Sequence, residues 1–406
     1  METQKSRFPT WVVWIGAAVL APFVLVVGVW EYMNATATPL HADASKVPSA
    51  TSADPSPKWA DATENARQLV RADLVERNLP GLSVAVGVGR DIVWAEGFGF
   101  ADLDNQVAVK PETRFRIGTA SKALTSAAAG LLMEKGRLDL DKEIQTYVPE
   151  FPKKQWPVTL GQLMGQVAGV PTDSGDEGPL FGQHCTRPVD ALEFFAGDPL
   201  WFEPGTRYRN SSYGWILVSA AIEAAAAEPF MSVMTKRVFE PLGMKDTLPD
   251  IATLDSAPAP VPGQAISYFP RFAADPGYGP DPMRPIDHTC YAGASAFLST
   301  PSDLVRFALA IRNGKFLKPE TVQLLQTSQR LPTGEETGYG LGWGLETVTI
   351  SGKPTAAVGH NGALLGGMAV SLMALPEHGI VVAVVSNISY AGPDTIALKV
   401  ARAFAK

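Results

Sequence analysis

Strand-forming runs stand near both ends of the part of this chain that reads as a folded domain, and the stretch between them is built from helical pieces. Residues 82–88 and 92–100 are rich in Val, Ile, Phe and Trp and meet at Gly89-Arg90-Asp91, a hairpin signal. The last hundred residues return to strand patterns at 342–350, 355–359, 367–375 and 380–386, then close with a helix over 394–404. Helical spacing covers 61–78 ahead of the first run and, between the two groups of strands, 119–135 (stopped by Gly136), 212–227 (ending before Pro229) and 304–313 behind Thr300-Pro-Ser-Asp303. Residues 258–285 hold many Pro and Gly and read as a long surface loop. A sheet must bury its apolar face against another layer, so strands from both ends share one sheet that the helices cover. The expected class is α/β in the α+β sense. An antiparallel sheet from both ends of the domain is flanked by helices, with an inserted, mostly helical subdomain.

The 406 residues bear a net charge of −7, which argues against a nucleic-acid surface. A small-molecule or peptide substrate, the cell wall or another protein is the expected partner. Lys5 and Arg7 precede an uncharged apolar run from Trp11 to Trp30, about 20 residues and so long enough to cross a bilayer as a helix. Indole rings at Trp11, Trp14 and Trp30 suit the interfaces, and the positive flank keeps the N terminus cytoplasmic. Cleavage at Ala35-Thr-Ala37 is the alternative to an uncleaved anchor. Either way the bulk of the chain lies on the periplasmic, extracytoplasmic side of the inner membrane. The segment that follows is Ala-, Ser-, Thr- and Pro-rich, too poor in large side chains to fold alone. The expected organisation is a cytoplasmic 1–10, a transmembrane anchor or signal-anchor at 11–30, a flexible linker at 31–60 and one domain at 61–406.

Chemistry concentrates at three places. Thr119-Ala-Ser-Lys122 puts a hydroxyl three residues before a lysine at the start of an Ala-rich run, and residues three apart share a helix face. A Lys-activated acyl-transfer nucleophile needs that arrangement, and Ser121, next to the lysine, points elsewhere. Tyr208-Arg-Asn210 follows Pro204-Gly205, and His360-Asn361-Gly362 precedes a strand-like stretch. In order, these segments resemble the triplet Ser-x-x-Lys, Tyr-x-Asn, Lys/His-x-Gly of the penicillin-recognising serine hydrolases, the β-lactamase-related superfamily that includes class C β-lactamases, D-Ala-D-Ala carboxypeptidases and LACTB-like proteins. Gly136-Arg-Leu-Asp-Leu-Asp141, Trp156-Pro-Val-Thr-Leu160, Ser299-Thr-Pro-Ser-Asp-Leu304 and Gly338-Tyr-Gly-Leu-Gly-Trp343 look like further landmarks of that family.

The resemblance implies the family fold and an acyl-enzyme hydrolase of amide or ester bonds that needs no cofactor or metal. It implies Thr119 as nucleophile, Lys122 as base or proton relay and Tyr208 as the phenol that passes the proton on. Asn210 would hold Lys122 or the substrate, His360 would line the substrate strand beside Gly362, and the N–H groups of Thr119 and Ala363 would form the oxyanion hole. This chain departs from the pattern in three ways. Thr119 stands where relatives have serine, and a β-branched side chain has restricted χ1 on a helix. Gly165-Gln-Val-Ala-Gly169 replaces a polar Ser-His-Thr-Ser-Gly loop. Counted from Pro204-Gly205, the tyrosine motif would fall on Asn210-Ser211-Ser212, which leaves Tyr208 as a packing aromatic. Thr119 could also serve merely as a helix N-cap. The reading from another class is therefore a catalytically impaired binding or scaffold module of the cell envelope. Cys185 and Cys290 both lie in the part read as exported, where a disulfide is permitted. With His184 and His288 they could instead offer four zinc-type ligands, at an uncommon spacing.

Overall fold

The structure, a computed structural model, describes residues 10–52, 56–172, 179–250, 261–284, 286–364 and 366–405. An antiparallel sheet forms its centre, with strands β1 (Ser49–Thr51), β2 (Gly81–Val88), β3 (Asp91–Asp102), β4 (Gly344–Ile350), β5 (Lys353–Leu364), β6 (Met368–Leu375) and β7 (Ile380–Ser386). Their order is β1-β3-β2-β7-β6-β5-β4, and Val107–Ala108 adds a short strand to β3. The two ends of the chain meet where β2 pairs with β7, from Val88 opposite Ile380 to Leu82 opposite Ser386. The longer helices are α1 (Thr10–Thr36), α2 (Ala60–Glu76), α3 (Ser121–Glu134), α4 (Ser212–Ala226), α5 (Pro301–Arg312) and α6 (Pro393–Phe404).

The unbroken apolar runs of β2 and β7 follow from burial on both faces. Successive strand residues point to opposite sides. Val84, Val86, Val382 and Val384 enter one apolar layer with α2 and α6, while Ala85, Val381, Ala383 and Val385 enter the other with α3, α4 and α5. Each such Val removed from water contributes on the order of 1.5–3 kcal/mol. Ile396, Ala397, Val400, Ala401 and Phe404 form the buried face of α6, at spacings of three and four. At the start of α5, Pro301 follows Thr300, whose hydroxyl accepts from the Asp303 N–H, as the sequence pattern predicts. Between α3 and residue 297 the chain is mostly short helical pieces around the long buried α4, the inserted helical part expected.

Several expectations change. Strand β5 is longer than residues 355–359, because pairing with β6 continues as far as Leu364 opposite Met368. His360-Asn361-Gly362 therefore lies inside a strand rather than ahead of one. Thr119 sits in a tight 3-10 turn, Gly118–Ala120, and the α-helix begins only at Ser121. Much of the 31–60 linker is attached to the domain. Ser49–Thr51 pairs with Glu96–Phe98 of β3, Val47 is buried, and the Leu40 N–H donates to Asn78 Oδ1 at 2.7 Å. Val47 joins the apolar layer beneath α2 and α6, and the backbone of Ser49–Thr51 closes an otherwise open sheet edge. Of the loop expected at 258–285, residues 258–260 and 285 lie outside the described residues. The rest carries an arm in which Tyr268–Pro270 pairs with Pro280–Pro282. The first nine residues also lie outside. Among the described residues no single helix is long and apolar enough to cross a membrane; Leu20–Thr36 of α1 is a shorter apolar helix.

Candidate active site

The turn Gly118–Ala120 leads directly into α3, so Thr119 and Lys122 are both buried at one helix start. Thr119 does not cap that helix. The cap position is Ala120, without a side-chain bond, and Thr119 Oγ1 instead donates to the Asn361 carbonyl on β5 at 3.2 Å. Strand and turn touch closely. A Cβ on Gly362 would stand 2.8 Å from Thr119 Oγ1 and 3.3 Å from Thr119 N, so a larger residue would press on the hydroxyl. Ala363 follows on the same strand, opposite Ala369 of β6. Residues two apart in a strand offer backbone groups to the same edge, so the Ala363 N–H faces the way the Asn361 carbonyl does.

On the facing wall, Lys122 Nζ donates to Asn210 Oδ1 at 2.9 Å. Gln166 Nε2 donates to the same oxygen at 3.0 Å, and Gln166 Oε1 accepts the Ser211 N–H at 2.8 Å. The Gln166 carbonyl also accepts the Arg209 N–H at 2.9 Å. Ser211 in turn caps α4 through the Gly214 N–H. Gln166 is buried and its φ is 62°, a left-handed conformation that costs a non-glycine residue about 1–3 kcal/mol. The Gly165–Gly169 loop, which departs from the polar Ser-His-Thr-Ser-Gly pattern, thus buttresses Asn210 through Gln166.

Buried His360 links the two walls. Its Nδ1 lies 2.8 Å from the Asn361 carbonyl, which can only accept, so Nδ1 carries the proton. Its Nε2 is then an acceptor, filled by the Tyr339 hydroxyl at 3.0 Å. Burial, reinforced by the Lys122 ammonium, pulls the His360 pKa down to about 3, so the ring is neutral. Burial also pushes the Tyr339 hydroxyl well above its ordinary value; neighbouring Tyr208 adds to the rise, and a hydrogen bond from the Gln166 side chain opposes it. The contacts close a ring: Thr119, Asn361, His360, Tyr339, Gln166, Asn210, Lys122, and back along the helix to Thr119.

Thr119, Lys122, Asn210, His360 and Gly362 are therefore brought together. Tyr208 is placed differently: its ring is 40% exposed and tilts against Tyr339 at 5.7 Å, while the Lys122 ammonium meets Asn210. Partial burial pushes the Tyr208 hydroxyl upward as well. Three residues of the ring, Asn361, Gln166 and Tyr339, had no assigned role in the sequence reading, and Asn361 enters through its backbone carbonyl. Tyr339 was visible only inside a family landmark, and Gln166 only as the lone polar side chain between Gly165 and Val167. Away from the ring, Cys185 and Cys290 are joined as a disulfide, S–S 1.99 Å, and His184 Nδ1 lies 2.8 Å from Asp287 Oδ2. The four-ligand zinc alternative is not assembled, since its two sulfurs are bonded to each other.

The sequence profile of the Beta-lactamase family matches residues 66–406. The human mitochondrial serine beta-lactamase-like protein LACTB is 26% identical over an alignment spanning 86% of this chain and 80% of its own length. Penicillin-binding protein 4* of Bacillus subtilis is 25% identical across 69% of this chain and 62% of its own. Among solved structures, the octameric penicillin-binding protein homologue from Pyrococcus abyssi superposes with a TM-score of 0.69 at 24% identity, over 83% of this chain and 76% of that one. The D-amino acid amidase from Ochrobactrum anthropi SV3 gives 0.69 at 22% identity, over 84% and 98%. With a profile match running from α2 to the C terminus, the chain belongs to the β-lactamase family of serine hydrolases.

Proposed function

We propose that the protein hydrolyses amide or ester bonds through an acyl-enzyme on Thr119. The observation that carries this reading is the run of hydrogen bonds from Thr119 through Asn361, His360 and Tyr339 to Gln166, Asn210 and Lys122, which brings the hydroxyl and amine of one helix start into one crevice with an imidazole and an amide from two distant parts of the chain. The step starts from the form in which the Lys122 ammonium has released one proton to solvent: Thr119 Oγ1 attacks the substrate carbonyl while its proton passes to the neutral Lys122 amine. The oxyanion is held by the N–H groups of Thr119 and Ala363. The C–N or C–O bond then breaks, and the proton returns from Lys122 to the leaving group. Water repeats the sequence to free the acid. Asn210 fixes the amine, neutral His360 holds the Asn361 carbonyl, and Tyr208 covers Tyr339 at the entrance. The family and the D-amino acid amidase with which it shares its fold favour a short peptide, muropeptide, β-lactam or small ester as substrate.

One observation favours a second reading, a catalytically impaired binding module. The Thr119 hydroxyl directs its proton to a carbonyl, and its methyl group restricts rotation toward Lys122. Intact mass after an acylating probe separates the two in wild type, Thr119→Ser and Thr119→Ala. An adduct on wild type that disappears in the alanine variant is expected. An adduct seen only in the serine variant would establish the impaired site instead.

The apolar run from Trp11 and the positive flank at Lys5 and Arg7 support α1 as a single-pass anchor with the N terminus cytoplasmic. The Cys185–Cys290 disulfide suits an oxidising compartment on the far side of the membrane. Protease accessibility in sealed vesicles tests this: the domain should be digested only from the extracytoplasmic face.

A further inference from the structure

We infer that the arm formed by Tyr268–Pro270 and Pro280–Pro282 is a second membrane contact, resting on the lipid headgroups beside the point where α1 leaves the bilayer. The inference rests on the reading of α1 as an anchor. Along the helix Phe23 and Leu25 are 65% and 68% exposed, as befits side chains whose partner is lipid. The helix meets the domain at its C-terminal end. There Arg271, at the base of the arm's tip, donates to the Thr36 carbonyl at 3.2 Å and to Thr36 Oγ1 at 3.1 Å. A guanidinium there satisfies an orphan carbonyl and complements the helix dipole.

The dimensions place the arm. Trp30 to Thr36 is six residues, about 9 Å along a helix. A headgroup layer is roughly 5–8 Å deep, from a hydrocarbon core of about 30 Å in a bilayer of about 40–45 Å. With Trp30 at the hydrocarbon boundary, Arg271 stands at the outer limit of the headgroups, among half-buried side chains. These are aromatic. Phe272 and Tyr278 meet edge to face at 5.3 Å across the tip, and Phe269 packs edge-on against Tyr390 at 5.8 Å. Ala273 and Ala274 turn the tip with φ of 54° and 53°, a left-handed pair that alanine adopts only under constraint. Arg271 and Arg284 are balanced by Asp275 and Asp281, so the contact is aromatic rather than electrostatic.

The arm is also tied to the crevice. A Cβ on Gly367 would stand 2.5 Å from Met283 Cγ and 2.6 Å from Ser267 Cβ, and Gly367 lies in the turn between β5, which carries His360 and Gly362, and β6. Seating the arm on lipid therefore seats the mouth of the site there too. The acyl donors that fit such a position are amphiphilic or lipid-linked amides and esters.

The full chain in nanodiscs of zwitterionic lipid, with bromine on the upper acyl chain, tests this through an environment-sensitive fluorophore on an introduced cysteine. Phe272→Cys and Tyr278→Cys report on the arm, and Val26→Cys reports on α1. Quenching at either arm site at least half as strong as at Val26 is expected, and it should persist in about 1 M salt, where exposed charge interactions are screened. Quenching at Val26 with none at either arm position overturns the arm contact while leaving the anchor intact. Quenching of the arm that vanishes in salt overturns its aromatic character. No quenching at Val26 removes the anchor and this inference with it.

Discussion

On one wall of the crevice, Thr119 and Lys122 ride on a turn and a helix whose small residues, Ala120, Ala123, Ala127 and Ala128, are buried as a block. On the other, Asn210 is held by Gln166, a single side chain on a loop whose backbone is left-handed at that residue. The first wall is rigid because its packing is dense and repetitive. The second is rigid only as long as one amide makes both of its bonds. Damage should therefore act differently on the two sides, through geometry at the dense wall and through lost hydrogen bonds at the sparse one.

The sharpest test of the dense wall is Gly362→Ala. Its Cβ would meet Thr119 Oγ1 at 2.8 Å and Val370 Cγ1 at 2.9 Å, closer than carbon and oxygen tolerate, so the strand or the turn that carries the hydroxyl must shift. A fall in acylation rate of at least about 100-fold, some 2.7 kcal/mol, is expected. The melting temperature should drop by only the few degrees that mild overpacking causes. A variant that acylates normally would show that the hydroxyl does not work in the position it occupies.

The sparse wall is probed by Gln166→Ala beside Gln166→Gly. Both lose the bonds to Asn210 and to the Ser211 N–H, at a cost of about 2 kcal/mol in unfolding free energy. Glycine tolerates φ of 62° and alanine does not, so the glycine variant should be the more stable by about 1 kcal/mol. Equal denaturation midpoints would mean that the left-handed conformation is not retained.

The same contrast explains what could be read from residues alone. Strands β2 and β7 were legible because burial on both faces leaves solid apolar runs, and α5 because Thr300-Pro301 is a local start signal. Thr119, Lys122, Asn210 and His360 stood in short ordered segments, and the fold brings them together. Gln166 and Tyr339 were not legible, since their roles depend on partners 44 and 21 residues away and on no pattern of their own. The linker at 49–51 was misjudged for a similar reason: composition reports on side chains, whereas the strand is held by backbone.

Protonation tests the ring as a whole. His360 titrates near 3 in the fold and near 6.5 when exposed, so between those values the unfolded chain binds the extra proton. Stability is full above pH 6.5 and falls as the pH drops through that window, by at most about 1.4 kcal/mol per pH unit for this residue. His288, also held down to about 3 by burial, contributes in the same direction. His360→Gln should therefore lose about 1 kcal/mol less than wild type between pH 6 and pH 5 in urea unfolding, with His288 and His41, which burial also holds low, among the sources of the remaining slope. Parallel curves would place a charged imidazole in the ring.

The smallest effects separate the two tyrosines. Tyr339→Phe removes the one donor to His360 Nε2 among the described residues, leaving a buried acceptor unfilled at a cost of about 1 kcal/mol. It also frees the ring to change tautomer, so the Asn361 carbonyl is held less firmly and acylation should slow by about tenfold. Tyr208→Phe removes a hydroxyl from a ring that is 40% exposed and keeps the face that packs on Tyr339. That change should stay within about 0.5 kcal/mol in stability, the range for surface substitutions, and within about threefold in rate. The reverse ranking, with Tyr208 the costlier loss, would restore the phenol role to the first tyrosine. Tyr339 would then be reduced to a packing partner, because a ring that hands its proton to the substrate must suffer most when its oxygen is taken away.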